Sequence, residues 1–446
     1  MVGLWLVGCG LSADPAPPQA PPPAPPPSVL VVVLDTVRAD LLARGDDPFG
    51  RAPNLGALAA RGLTFQDVTA PGSWTWPSHA SLFTGLLPRD HGARAAARDE
   101  GMALREALLV TPMDPNLPTL AERFVAGGYE AGAYVANRLL AEPLGLTRGF
   151  APVVFAREDA AVVDAAVAAM GGPRELMFVN LMTAHGPYQL TDETRHLAPQ
   201  LDDQALAPLL QGEGVSWHAS EPSAVIRHGL DPLPPAQLAL AQALYEGELH
   251  QVDRHLGRLL DAWWTAHPDG VVAVTSDHGE LFGEHGGLEH SALVWPELTR
   301  VPLVLAGPGV PEGKHRDAPV MLQDLYPTLL ALAGLSEPSW TLLSGSPRPG
   351  ELVAAAWPRP HLADALGGVY GTGQTLVRDG PLAVISGPGE PALYDLASDP
   401  GMAAPLDRPG DLARLVPRLP ALDATAGALA LPQGELEALR ALGYVE

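Results

Sequence analysis

Val29-Leu30-Val31-Val32-Val33-Leu34-Asp35 is a continuous apolar, mostly β-branched run that stops on a carboxylate. A run of this kind offers no polar face, so the strand it forms is buried on both sides, as in a parallel sheet covered by helices. The design recurs along the chain. Glu130–Val135 gives way to Asn137, Glu175–Leu181 leads to His185-Gly186-Pro187-Tyr188, Val271–Thr275 leads to Ser276-Asp277-His278-Gly279-Glu280, and 301–305 precedes Gly307-Pro308-Gly309. Helical patterns alternate with these runs at 54–61 and 117–127. In a longer one, Tyr245, Leu249, Val252, Leu256, Leu259 and Trp263 recur at spacings of four and three, which is one face of a helix. The alternation predicts an α/β fold. In open sheets of this class ligands bind beyond the carboxyl ends of the strands, which brings Asp35, His185, Asp277 and His278 to one edge.

A second stretch supplies a nucleophile. In Ser73-Trp74-Thr75-Trp76-Pro77-Ser78-His79, Pro77 is at ease only in the first turn of a helix, so Thr75 stands just ahead of a helix N-terminus. Unpaired N–H groups and the positive end of the helix dipole favour a bound phosphate or sulfate there, and an ionised hydroxyl. Asp35, Thr75, Asp277 and His278 together form a candidate site: two carboxylates, an imidazole and a hydroxyl surround one divalent cation. Such a cation lowers the hydroxyl pKa and neutralises charge on a transferring phosphoryl or sulfuryl group. The ligand types suit Ca²⁺, Mg²⁺, Mn²⁺ or Zn²⁺, with His278 favouring the last two. His185 and His290 suit either the anion's other oxygens or protonation of the leaving group. Singly, Asp35 also fits a helix cap and Asp277-His278 a polar turn; their joint placement at strand ends is what argues for a site.

Composition narrows the partners. The chain has 446 residues and a formal net charge of −24, which argues against nucleic acid as a partner. Lys314 is the only lysine and Cys9 the only cysteine, so neither an intrachain disulfide nor a cysteine metal cluster exists. Leu6-Val7-Gly8-Cys9 resembles the lipobox of bacterial lipoproteins, in which the cysteine is lipidated. The Pro/Ala-rich stretch that follows favours extended polyproline II and acts as a spacer. The predicted organisation is a signal segment at 1–8, a linker at 9–27, a catalytic domain at 28–343 and a small subdomain at 344–446. Within it, 192–235 is irregular and reads as a substrate-selecting insertion. Short strand-like runs at 375–377, 382–385 and 392–394, with a helix near 436–442, make the last subdomain antiparallel.

From about residue 28 onward the chain resembles the sulfatase family of the alkaline phosphatase superfamily. Leu34-Asp35-Thr36-Val37-Arg38-Ala39-Asp40 is similar to the family's first metal-binding strand end. Thr75-Trp76-Pro77-Ser78-His79-Ala80-Ser81-Leu82-Phe83-Thr84-Gly85 is similar to its Cys-x-Pro-Ser-Arg-x-x-Leu-x-Thr-Gly motif. His185-Gly186-Pro187, the Ser276–His285 stretch, Arg300-Val301-Pro302-Leu303, Asp324-Leu325-Tyr326-Pro327 and Leu393-Tyr394-Asp395-Leu396 are further landmarks. The resemblance implies an α/β sandwich with a large mixed, mostly parallel central sheet, a small C-terminal antiparallel subdomain, one divalent metal ion and ester hydrolysis.

The departures from the family pattern are specific. Thr75 stands where sulfatases make formylglycine from Cys or Ser, and the modification cannot convert a threonine. His79 replaces the motif arginine, Thr36 a second metal carboxylate, and His278 a frequent asparagine. No Gly-Lys-x-His element follows Gly128-Tyr129, and His290 stands where a sulfate-binding lysine is expected. An acid, Thr, Asp and His around one metal is similar to the phosphoethanolamine transferases and lipoteichoic acid synthase, which use threonine directly. The resulting expectation is a lipid-anchored hydrolase of the bacterial cell envelope. In it Asp35, Asp277, His278 and Thr75 meet the metal, Thr75 attacks, His79 orients it, and His185 and His290 assist. Phosphate mono- or diesters of small molecules, glycans or lipids are the leading substrates. Sulfate esters are the alternative, and an anion- or glycan-binding pseudoenzyme is the alternative of another class. Trp74 and Trp76 suit either a substrate gate or packing.

Overall fold

The computed structural model describes residues 25–95, 110–140, 145–186, 188, 235–290, 292–358 and 369–422. The lipobox at Cys9, the linker up to residue 24, the 192–235 insertion up to residue 234 and the helix near 436–442 lie outside the described residues. Among the described residues no helix is long and apolar enough to cross a membrane.

The apolar runs form the middle of an eight-stranded sheet. Its strands are β1 (Val29–Leu34), β2 (Gly62–Phe65), β3 (Glu130–Val135), β4 (Val153–Phe155), β5 (Glu175–Leu181), β6 (Val271–Thr275), β7 (Leu303–Ala306) and β8 (Lys314–Arg316). Their spatial order is β8-β2-β7-β6-β1-β5-β3-β4. β1 pairs in parallel with β5 on one side and β6 on the other, and only β7 runs against the rest of this sheet. The sheet is therefore mixed and mostly parallel, as anticipated.

Side chains of β1 alternate between two cores. Val29, Val31 and Val33 pack with Trp76, Phe83, Phe124 and Leu329 on one face, whereas Leu30, Val32 and Leu34 pack with Leu55, Val162, Leu249 and Trp263 on the other. The first face is covered by helices α2 (Thr75–Thr84), α3 (Leu120–Ala126) and α6 (Leu325–Leu332), the second by α1 (Pro53–Ala60), α4 (Asp159–Ala169) and α5 (Pro235–Ala266). Each fully buried Val or Leu contributes about 1.5–3 kcal/mol, which is why a strand with no polar side chain is stable only in this double-sided setting.

A separate four-stranded antiparallel sheet has the order β9 (Leu352–Ala356), β10 (Gln374–Asp379), β11 (Leu382–Ser386) and β12 (Ala392–Asp395). It is fastened to the main body by Arg378, which pairs with Asp67 (2.5 Å) and donates to the Thr69 hydroxyl (3.0 Å).

Candidate active site

Helix α2 is set by backbone geometry at both ends. Trp74 is its extended N-cap, so Thr75 is the first residue of the helix and not the residue before it, a one-position correction to the sequence reading. Gly85 closes the helix at φ 74°, and a Cβ there would lie 2.8 Å from the Tyr326 ring, so glycine satisfies both conformation and space. The whole helix is buried, including Thr75, Ser78 and His79. Trp74 and Trp76 are buried too, and Trp76 donates its indole N–H to the Thr111 carbonyl at 2.8 Å, so both are packing residues.

Asp35 follows β1, and Asp277 and His278 follow β6, the strand paired beside it. One ligand atom from each lies within 4.8 Å of the others, in a fully buried setting. His278 donates Nδ1–H to the Gly279 carbonyl (2.9 Å), so its Nε2 carries a lone pair. That nitrogen faces Asp277 Oδ2 at 3.3 Å and Asp35 Oδ1 at 3.8 Å, and none of the three atoms has a hydrogen-bond partner. Three buried lone-pair atoms converging without a donor between them fit a bound cation. The other carboxylate oxygens are held in place. Asp277 Oδ1 accepts from the Thr36 and His278 amides (3.3 and 3.0 Å), and Asp35 Oδ2 accepts from Asn137 and Asn180 (2.8 and 3.2 Å).

The electrostatics agree. Burial, with the neighbouring Asp277 adding to it, pushes the Asp35 carboxyl up to about 6; burial alone dominates at Asp277, which rises to about 7. Burial also lowers the His278 imidazole. A divalent ion held by these groups would favour the ionised form of both carboxyls. The backbone is strained around it: Thr36 adopts φ 60°, with its hydroxyl donating to the carbonyls of Asp35 and Ala184.

Thr75 joins this group through Asn137, whose Nδ2 donates both to Thr75 Oγ1 (3.1 Å) and to Asp35 Oδ2 (2.8 Å). His79 lies one helical turn on. Its Nδ1 meets the Thr75 carbonyl at 3.0 Å and lies 3.5 Å from Asp277 Oδ2, and burial pushes the ring down to about 3, so it is neutral. The His290 ring packs 4.4 Å from that of His278 and 5.2 Å from that of His185, centroid to centroid. Behind His290 stands buried Glu280, its carboxyl pushed up to about 7 by burial.

All seven residues singled out in the sequence are thus gathered at one sheet edge. Sequence reading missed Asn137 as a functional group, and with it Asn180 and Glu280. Asn137 ends β3 at the same sheet edge as Asp35 and Asp277, so the strand-end rule held the signal. Asn180 lies inside an apolar strand and gave none. Lys314, the sole lysine, lies exposed on the outer strand β8, away from this edge.

Comparison with known proteins agrees with this geometry. Residues 157–335 match the family model described as Sulfatase, and residues 29–95 match that of type I phosphodiesterase / nucleotide pyrophosphatase. A sulfatase of Formosa agariphila is 26% identical over 344 residues, covering 64% of this chain and 65% of the relative's length. A Δ4,5-hexuronate-2-O-sulfatase of Bacteroides thetaiotaomicron is 21% identical, covering 76% of this chain and 72% of its own length. Among solved structures, a 2-O GAG sulfatase superimposes with a TM-score of 0.65 at 18% identity, covering 88% of this chain and 90% of its own. The phosphonate monoester hydrolase of Agrobacterium radiobacter superimposes with 0.66 at 20%, covering 94% and 96%. At such identities the structures establish the fold alone. The matched family model, the curated relatives and the strand-end motifs converge on one likeness: residues 157–335 match the sulfatase family, and the chain is similar to sulfatases over most of its length.

Proposed function

We propose that the protein is a metal-dependent hydrolase of anionic esters in which Thr75 is the nucleophile, acting on phosphate mono- or diesters. The observation that carries this reading is the convergence of Asp35 Oδ1, Asp277 Oδ2 and His278 Nε2, buried and without hydrogen-bond partners, beside a threonine at a helix N-terminus. A divalent cation held by those residues would supply the charge that lowers the hydroxyl pKa and offsets charge on the transferring group. Asn137 donates to Thr75 Oγ1, and the first turn of α2 adds its dipole, so charge developing on that oxygen meets donors already in place. In the transfer step the Thr75 Oγ–phosphorus bond forms and the ester P–O bond breaks; water then cleaves the phosphothreonine.

Sulfate esters are the second reading, favoured by the names of the curated relatives, which include a choline-sulfatase of Rhizobium meliloti. Against it, a threonine sulfate lacks the elimination route open to a formylglycine hydrate, and Lys314 is remote, so histidines meet the anion in place of lysines. Assays on aryl phosphate, phosphodiester and aryl sulfate, comparing wild type with Thr75→Ala, test both. Phosphate release faster than sulfate release and dependent on Thr75 is expected. The reverse ranking supports a sulfatase, and metal-retaining chain without turnover supports a pseudoenzyme. We further propose lipidation at Cys9 and residence at the bacterial cell envelope; mass spectrometry of the mature protein is expected to show the lipid, and an unmodified Cys9 that retains residues 1–8 contradicts it.

A further inference from the structure

Glu280 is buried at the site and belongs to neither the metal-facing group nor the nucleophile. Its Oε2 accepts from the Tyr188 hydroxyl at 3.1 Å, and both of its oxygens face His290 Nδ1, at 3.2 and 3.3 Å. The backbone builds this pairing. Leu281 and Phe282 form an antiparallel ribbon with Leu288 and Glu289, with Leu281 opposite Glu289, so one further step of the register sets Glu280 across from His290. Arg38 fastens the stem of the ribbon, donating to the Glu280 carbonyl (3.0 Å) and the Glu284 carboxylate (2.7 Å) while pairing with Asp40. At Gly279, a Cβ would lie 1.9 Å from the Glu297 carbonyl oxygen, so the approach to the ribbon admits no side chain.

His290 Nδ1 stands nearly equidistant from the two Glu280 oxygens, one of which already accepts from Tyr188, the geometry of one N–H shared between two acceptors, so that nitrogen carries hydrogen and Nε2 is the nitrogen turned away from it. We propose that Glu280 is a positioning residue, which fixes the angle and tautomer of the His290 ring so that Nε2 serves the departing oxygen of the ester. The proposal rests on the ester-transfer reading above. Thr75 enters as the alkoxide, its proton already released to solvent, and departs as the alkoxide in the second step; as its Oγ–phosphorus bond forms, the bond to the ester oxygen breaks with its electron pair on that oxygen. The proton on Nε2 of the doubly protonated ring moves there. The ring is left neutral with Nδ1–H still on Glu280, and it regains a proton from the water that cleaves the phosphothreonine, as Thr75 leaves. This arrangement differs from a lysine at the same place, which holds charge but has no fixed ring direction.

The test compares wild type, Glu280→Ala, the bulk-preserving Glu280→Gln, His290→Ala and the Glu280→Ala/His290→Ala double variant on phenyl and para-nitrophenyl phosphate. Phenol needs a proton to leave and para-nitrophenolate does not. Glu280→Ala is expected to lower kcat for phenyl phosphate about 100-fold with KM little changed, Glu280→Gln by less, and both to lower para-nitrophenyl phosphate turnover less than about 3-fold. The double variant is expected to be no worse than His290→Ala alone. Equal losses on both esters, or additive losses in the double variant, overturn the proposal. A second readout needs no turnover: in full-length protein labelled with heavy-nitrogen histidine, the His290 ring signals, identified by their loss in His290→Ala, should report Nδ1–H and shift in Glu280→Ala. Unchanged ring signals overturn the positioning role. A wild type that cleaves neither these monoesters nor bis-para-nitrophenyl phosphate overturns the ester-transfer reading instead, and the ring signals then decide the role of Glu280.

Discussion

Two acid–imidazole groupings sit at opposite ends of the same sheet, and they are built to different rules. At the start of β5, Glu175 accepts from the amides of Gly171 and Gly172 (3.3 and 2.6 Å) and from His267 Nε2 (2.6 Å). At the far ends of β1 and β6, Asp35, Asp277 and His278 are buried just as deeply, yet one atom of each lacks a hydrogen-bond partner. A buried polar group left unpaired costs about 1–3 kcal/mol, more when charged, so the first grouping is satisfied within the protein, whereas the second has acceptor atoms left over that a bound cation would satisfy. Unmet valence, more than residue type, separates a site from a structural pair.

The largest expected effect falls on the unmet side. Thr75→Ala removes the hydroxyl that Asn137 bridges to Asp35 and should lower kcat on the best ester by about 1,000-fold or more, with the melting temperature unchanged. Steady-state kinetics and a thermal melt on the same preparation check it; retained turnover would remove Thr75 from the chemistry. Asn137→Ala should cost about 10- to 100-fold, as for groups that orient a metal-facing carboxylate. A loss of stability without loss of turnover would make Asn137 a structural residue like Glu175.

On the satisfied side the sign is reversed. His267→Ala should destabilise by about 1–3 kcal/mol in urea unfolding while the activity per folded molecule stays at the wild-type level. His91 gives the smallest and most graded effect. Its ring is buried, accepts from the Ala93 amide at Nδ1 (3.0 Å) and meets the Ser81 hydroxyl at 2.9 Å through Nε2, and burial pushes it down to about 3. Unfolded histidine titrates near 6.5, so between those values the unfolded chain binds the extra proton. Its contribution is complete above about 6.5 and declines as pH falls, by about 1.4 kcal/mol per pH unit. His91→Gln should flatten the dependence of unfolding free energy between pH 6.5 and 5 by that slope; an unchanged slope would mean the imidazole is charged in the fold.

The legible and illegible parts of the sequence divide along the same line. Strands buried on both faces read as mostly apolar runs, so β1, β3, β5 and β6 stood out, and the acids beyond the ends of β1 and β6 followed from the sheet-edge rule. Strands β2, β4 and β8 are short, and β9 is built of Leu, Val and Ala, so none had a pattern to detect. Thr75 and His290 were visible as departures from a family motif. Glu280 was not, because its value comes from a partner across a ribbon, and Asn180 was hidden because it is a polar residue inside an apolar run, meeting an acid 145 residues away. Pairings made by the fold have no local signature.

The central claim is that Asp35, Asp277 and His278 hold one divalent ion beside Thr75. The most direct measurement is the metal content of the purified full-length chain, by plasma mass spectrometry after dialysis against Ca²⁺, Mg²⁺, Mn²⁺ and Zn²⁺ in turn, for wild type and Asp277→Ala. The account predicts about one ion per wild-type chain with at least one of these metals, lost in the variant. A wild type that retains none of them, or a variant that retains as much as wild type, would contradict it.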